Sequence, residues 1–336
     1  MKQLKYQLLI KVSFSILPLF FAAVVCNAQL RLLALSKTDH TLAIVDPVSL
    51  KVLARVPVGI DPHEVIASSD GKEAYVSIYG GGSLHTLNVI DIVNYKPLFD
   101  IDTKPLLGPH GLTFIDGKVW FTAEGSKAIG RYDPSTHTLD WCMGTGQDRT
   151  HMIYVSSNGK KIYTTNVSSG TVSIFENTNS PGTRAHENWI QTIIPTQKGT
   201  EGFDVSHDSR ELWAASSQDG KIYIINLAAK KVVSKIDAKV FGANRLKFTT
   251  DGKMVFISSL QSGNLTIYNS KTHKEIKKIN IGHGAAGILM DPNGTRAFVA
   301  CSPDNYVAII DLKTLEVSGH INVGRPDGLA WAVQQK

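Results

Sequence analysis

The sequence predicts an all-β protein, a seven-bladed β-propeller whose ring is closed by a C-terminal strand pairing with N-terminal strands. Three observations predict it. A phrase of strand, tight turn and strand recurs at roughly the 40–45-residue spacing of propeller blades. Each copy alternates apolar and polar residues with the period-two pattern of half-buried strands. The two ends of the chain hold complementary fragments of a single copy.

The first 28 residues stand outside the repeat. Lys2, Lys5 and Lys11 precede a nearly continuous apolar run from Phe14 to Val25, and Cys26-Asn27-Ala28 places small residues before Gln29. That is the layout of a secretory signal peptide. An exported protein, periplasmic or secreted, is expected, with residues 29–336 as one propeller domain. Cys26 offers a lipid-anchor alternative, but Val24 and Val25 suit a lipoprotein site poorly. No other stretch approaches the ~20 apolar residues of a membrane-spanning helix.

Loss of the three lysines lowers the net charge from +6 to +3. So small a charge gives no strong nucleic-acid signal. Cys142 and Cys301, the cysteines left after removal, fall in different copies. They supply neither a disulfide framework nor a cysteine-based metal cluster. The expected partner is a small-molecule or saccharide ligand, and the expected state a monomer.

The copies align on their hairpin turns: Asp70-Gly71-Lys72, Asp116-Gly117-Lys118, Asn158-Gly159-Lys160, Asp208-Ser209, Asp251-Gly252-Lys253 and Asn293-Gly294-Thr295. Asn-Gly and Asp-Gly accept the positive backbone angles of a tight hairpin. First strands precede these turns, with alternating pairs such as Leu112 and Phe114 or Leu246 and Phe248. Second strands follow as Tyr75-Val76, Trp120-Phe121, Ile162-Tyr163, Leu212-Trp213, Val255-Phe256 and Phe298-Val299. Third strands, such as Leu87–Ile90 and Val307–Ile310, often end in Asp or Asn before a weaker fourth strand. At the N-terminus, Leu32–Leu35, Leu42–Val45 and Val52–Val56 make second, third and fourth strands with no first. Gly328–Val333 supplies it, and the closed ring has no seam edge. Blade 4 carries an excursion, 177–187, expected on the face opposite the starts of the first strands.

The Asp-Gly-Lys turn, the strand Tyr75-Val76-Ser77 and the ending Val89-Ile90-Asp91 resemble the repeat of YVTN or YncE-like seven-bladed propellers across the whole chain after residue 28. Blade 3, with Trp120-Phe121-Thr122-Ala123-Glu124 and Ile129-Gly130-Arg131, also resembles the repeat of streptogramin lyases. The Gly-His and Trp-Asp signatures of WD40 repeats are absent. The lyase resemblance, and likeness to lactonase-type propellers, implies lactone hydrolysis or lyase elimination. The YncE-like resemblance implies a non-enzymatic module that binds a ligand or a protein.

One column through the repeats carries the candidate chemistry. Two residues before the first apolar position of each first strand stand His63, His110, His151, Glu201, Asn244, Ala286 and Asp327. In a propeller this column surrounds the mouth of the axial channel. His63, His110, His151 and Glu201 offer imidazole and carboxylate donors for a divalent metal ion, which would polarise a carbonyl or activate water. Without metal, His110 or His151 would serve as general base, with Arg245 stabilising an enolate or carboxylate. Glu64, Asn244, Asp327, Arg149 and Glu124 are the candidate substrate contacts, with His283, Arg325 and, from the loop Lys37–His40, His40 nearby. The plain alternative is a polar lining that exists because water fills the channel. No Gly-x-Ser-x-Gly elbow and no Cys-x-x-Cys-His occur.

Overall fold

The computed structural model describes residues 29–178 and 188–334. The expected signal peptide, and residues 179–187 of the blade 4 excursion, lie outside the described residues. Seven four-stranded antiparallel sheets form the blades of a ring. Their first strands are Pro326–Gln334, Pro62–Ala67, Pro109–Ile115, Thr150–Val155, Thr200–Val205, Ala243–Phe248 and Ala285–Met290, for blades 1 to 7. Among the described residues the only helical pieces are two short 3₁₀ turns, Gly80–Gly82 and Ser302–Asp304.

Ring closure follows the expected path. Pro326–Gln334 pairs antiparallel with Gln29–Ser36, placing Leu32 opposite Trp331 and Ala34 opposite Leu329. Trp331 Nε1–H donates to the Met290 carbonyl of blade 7 at 2.7 Å.

The period-two pattern explains how the blades adhere. Successive side chains of a strand point to opposite faces of its sheet. Leu33 and Leu35 accordingly face blade 2, among Val65, Val76 and Ile90. Leu32 and Ala34 face blade 7, against Phe298, Val307 and Ile309. An apolar cluster of this kind lies at each of the seven blade interfaces.

What positions the site is a bulge. In blade 2, Pro62 pairs with Ile78 and Val65 with Val76, so His63 and Glu64 together oppose Ser77. Blades 3 to 7 repeat this one-residue excess at the column position. A bulge breaks the ladder and re-aims side chains, here toward the axis. Second-strand hydroxyls take up the freed backbone groups. Thr122 Oγ1 accepts from Gly111 N–H at 2.9 Å and donates to the His151 carbonyl of the next blade at 2.6 Å. Ser258 does the same for Arg245 N–H and the Ala286 carbonyl. Gly111 itself is needed because a Cβ there would meet the His151 carbonyl oxygen at 2.6 Å, which accounts for the Pro-His-Gly phrase.

Candidate functional site

Three concentric positions per blade shape the mouth. The first is the residue two before the column: Asp61, Gly108, Arg149, Gly199, Gly242, Gly284 and Arg325, all with positive φ. The second is the column itself. The third is the residue after each second strand: Lys37, Tyr79, Glu124, Val167, Ser217, Leu260 and Ser302. A cavity of about 300 Å³ opens among them, lined by Lys37, His63, Tyr79, His110, Arg149, His151, Glu201, Asn244, Arg245, Leu260, Ala286, Ser302, Arg325 and Asp327.

The three histidines form a string along its wall. His110 Nε2 and His63 Nδ1 are 3.1 Å apart, and the His110 and His151 rings stack with centroids 3.8 Å apart. Lys37 Nζ lies 2.7 Å from His63 Nε2, 3.0 Å from Asp327 Oδ2 and 3.4 Å from Asp61 Oδ1. Asp61 Oδ1 lies 3.0 Å from the same His63 Nε2, so that nitrogen faces both a donor and an acceptor. His110 Nδ1 is a buried atom with no partner among the described residues. At the other end, His151 Nδ1 meets Glu124 Oε2 at 2.6 Å and His151 Nε2 meets Glu201 Oε1 at 3.3 Å. Glu124 also accepts from Tyr79 Oη–H and from Arg149 Nε–H, both at 2.7 Å.

His110 and His151 are shifted in opposite directions. Burial, and then the neighbouring His151, His63, Arg245 and Lys37, push His110 well below the ordinary imidazole value and hold it neutral. Burial also opposes charge on His151, but bonds to Glu124 and Glu201 overcome it and raise its pKa. Glu124 follows the same logic with opposite sign. Burial would raise it, yet His151, Tyr79 and Arg149 bring it down to about 2.

Arg245 closes the floor. From blade 6 it reaches across the channel to the Glu64 carboxylate of blade 2, and its Nη1 lies 3.3 Å from Glu201 Oε1 and 3.2 Å from the Asn244 carbonyl oxygen. Glu64 and Glu124 do not line the cavity; Glu64 is half of the floor and Glu124 the clamp behind His151. Nine of the expected residues do line it: His63, His110, His151, Glu201, Asn244, Arg245, Asp327, Arg149 and Arg325. His40 is exposed, and Lys37 at the start of its loop is the residue that reaches the mouth. Lys37 and Tyr79 had a readable signal in sequence. They occupy the same post-strand position as Glu124.

The set does not fit a metal ion as arranged. Both nitrogens of His151 meet carboxylates, His63 Nε2 meets an ammonium group, and His110 presents its ring face to His151. No three lone pairs converge on one point, and no group of three or more potential ligands arranged for a metal occurs among the described residues.

No family model matches the chain. Among curated proteins, the Set1 complex component swd2 of Schizosaccharomyces pombe is 26% identical over 120 residues, 35% of this chain. The match spans about a third of that relative, 34% of its length. Solved structures match far more of the molecule. A protein of Bacteroides fragilis NCTC 9343, provisionally named a 6-phosphogluconolactonase, has a TM-score of 0.73 at 15% identity, covering 91% of this chain and 99% of its own. A Lactobacillus plantarum protein gives 0.72 at 12%, with 90% and 99% covered. Kuenenia stuttgartiensis hydrazine synthase gives 0.68 at 15%, with 80% and 89%. These likenesses are of fold. The chain is a seven-bladed β-propeller.

Proposed function

We propose that this chain is an enzyme that uses the histidine string for acid–base chemistry on a small acidic molecule, as a lactone hydrolase or a lyase. The observation that carries the reading is the string itself, two imidazoles with ring centroids 3.8 Å apart at the wall of a cavity, one held between two carboxylates and the other touching none. Two titratable groups pushed apart by their surroundings are the mark of an acid–base assignment. His63 is the member in reach of a ligand. An incoming carboxylate draws the Lys37 ammonium away from His63 Nε2 and leaves His63 as the base.

In hydrolysis the base takes a proton from water while the water oxygen attacks the acyl carbon. The ring C–O bond breaks, its oxygen is protonated, and the sum is addition of water. In elimination the base removes a proton beside the carboxylate, and the β C–O bond breaks with protonation of the departing oxygen. The pattern of residues 1–28 supports action outside the cytoplasm. The names of similar structures support the lactonase class.

The test is turnover of a panel of lactones and uronides by wild type, His63→Gln and His110→Gln, with bound metal measured on each preparation. Loss of a general base costs ~10²–10⁴-fold in rate, and we expect that loss in both variants. Wild-type kcat in both variants, or no turnover of any substrate by wild type, would overturn the enzyme reading. Stoichiometric metal whose removal abolishes turnover would replace it with a metal-assisted one. A second reading, a non-enzymatic ligand-binding propeller, is favoured by one observation: both nitrogens of His63 and of His151 are already paired within the protein.

A further inference from the structure

The outermost ring of the mouth points to the substrate class. All seven of its residues have positive φ, the region that favours glycine because a Cβ crowds the backbone there. Four are glycines. A Cβ would come within 2.6 Å of Ser217 at Gly199, 2.7 Å of Gln261 at Gly242 and 2.5 Å of Pro303 at Gly284. The other three are charged: Asp61, Arg149 and Arg325, with φ of 55°, 53° and 41°. Left-handed residues with side chains also occur in the turns between third and fourth strands, such as Leu50, Tyr95 and Leu315. Among the described residues no glycine alternates with them in those turns. At the mouth the contrast between glycine and charge is within one position of one repeat.

Each charged residue has a different employment. Asp61 is spent on His63 and Lys37. Arg149 gives Nε–H to Glu124 and has no protein acceptor for its two Nη groups among the described residues. Arg325 has its backbone N–H bonded to Asn305 Oδ1 at 2.9 Å, while its guanidinium has no partner among the described residues. Both arginines line the cavity. They belong to blades 4 and 1, three steps apart in a ring of seven, and so stand nearly opposite one another across the mouth. The carboxylates between them all have cationic partners. Lys37 pairs with Asp327 and Asp61, while His151 and Arg245 pair with Glu201. Two buried polar atoms of the same cavity, His110 Nδ1 and Asn244 Oδ1, also await partners.

We infer that Arg149 and Arg325 grip the two ends of a compact molecule with two acidic groups, a dicarboxylate in its simplest form. A guanidinium offers a planar pair of donors matched to a carboxylate, and two of them facing each other measure the distance between the acids. The dianion is then held over His63, and this inference rests on the enzyme reading for its use, though not for its test.

That test is calorimetric binding and thermal unfolding with malonate, succinate, glutarate and adipate, with butyrate as the single-acid control. A ligand that binds only the folded state raises the melting temperature by mass action. We expect one length of the series to bind at least tenfold tighter than butyrate. Arg325→Gly should lose that preference while melting no lower than wild type without ligand, since glycine suits its backbone. Arg325→Lys should recover part of the affinity. Arg149→Lys, which keeps the charge and loses the planar fork, should weaken binding as well. Equal binding of butyrate and all four diacids, or undiminished affinity in Arg325→Gly, would overturn the inference. Binding is repeated on His63→Gln. Diacid binding without turnover by the wild type leaves this inference standing and sinks the enzyme reading; turnover without length-dependent binding does the reverse.

Discussion

Blades 1 to 4 and blades 5 to 7 share one backbone and differ in what it carries. Across the three mouth positions, blades 1 to 4 present Arg325, Asp327, Lys37, Asp61, His63, Tyr79, His110, Glu124, Arg149 and His151, with only Gly108 and Val167 bland. Blades 5 to 7 present Gly199, Ser217, Gly242, Leu260, Gly284, Ala286 and Ser302, with Glu201 and Asn244 as the exceptions. The same bulges and left-handed turns recur in both arcs. The propeller therefore does not require the charged set. What the difference teaches is that scaffold and chemistry are separable here, position by position, and that the chemistry is lopsided.

The comparison breaks most easily at Glu124. Its carboxylate is 7% exposed and compensates His151 and Arg149. Removing one partner of a buried ionic cluster costs about 3–5 kcal/mol, so Glu124→Ala should lower unfolding free energy in urea by about that much. Asn244 is the intermediate case, with one bond from Nδ2–H to Glu201 Oε1 at 2.6 Å; Asn244→Ala should cost about 1–2 kcal/mol. Ser302, at the Glu124 position of blade 7, has no such role, and Ser302→Ala should stay within about 0.5 kcal/mol. Equal costs for Glu124→Ala and Ser302→Ala would remove the distinction between the arcs.

A smaller effect sharpens it through pH. Glu124, brought from its ordinary 4.5 to about 2, stabilises the fold fully above 4.5, and that contribution drains as pH falls toward 2. His110, held below its ordinary 6.5, contributes above 6.5 and loses its contribution as pH falls toward its folded value. His151, held above 6.5, contributes below 6.5 and loses its contribution as pH rises through its folded value. Melting temperature measured against pH should therefore fall on the acid side less steeply in His110→Gln than in wild type. Parallel curves would show that His110 is not held neutral by its surroundings.

Nearly all of the fold was legible in sequence, because it is written seven times. Turn residues, period-two strands and the split blade at the termini each demand the same ring. The column of first positions was legible for the same reason, and nine of the expected residues line one cavity. The rest depended on reach. Arg245 reads as the group that stabilises an enolate or carboxylate, yet its length carries it across the channel to Glu64, a pairing over 181 residues that no local pattern encodes. Lys37 was passed over for His40 because imidazole is the more versatile group, while the position after the second strand, shared with Tyr79 and Glu124, is what decides which side chain reaches the mouth. Which donors would be free for a metal ion is hidden from the sequence for a related reason. Residue types predict donors, but not which donors spend themselves on each other.

The account's central claim is that stacked His110 and His151 carry different charge at neutral pH. Titration of the imidazole nitrogens by ¹⁵N NMR, with His110→Gln and His151→Gln for assignment, tests it directly. The account predicts that His151 remains protonated above pH 6.5 while His110 remains neutral well below it. Two imidazoles that titrate together near 6.5 would contradict it.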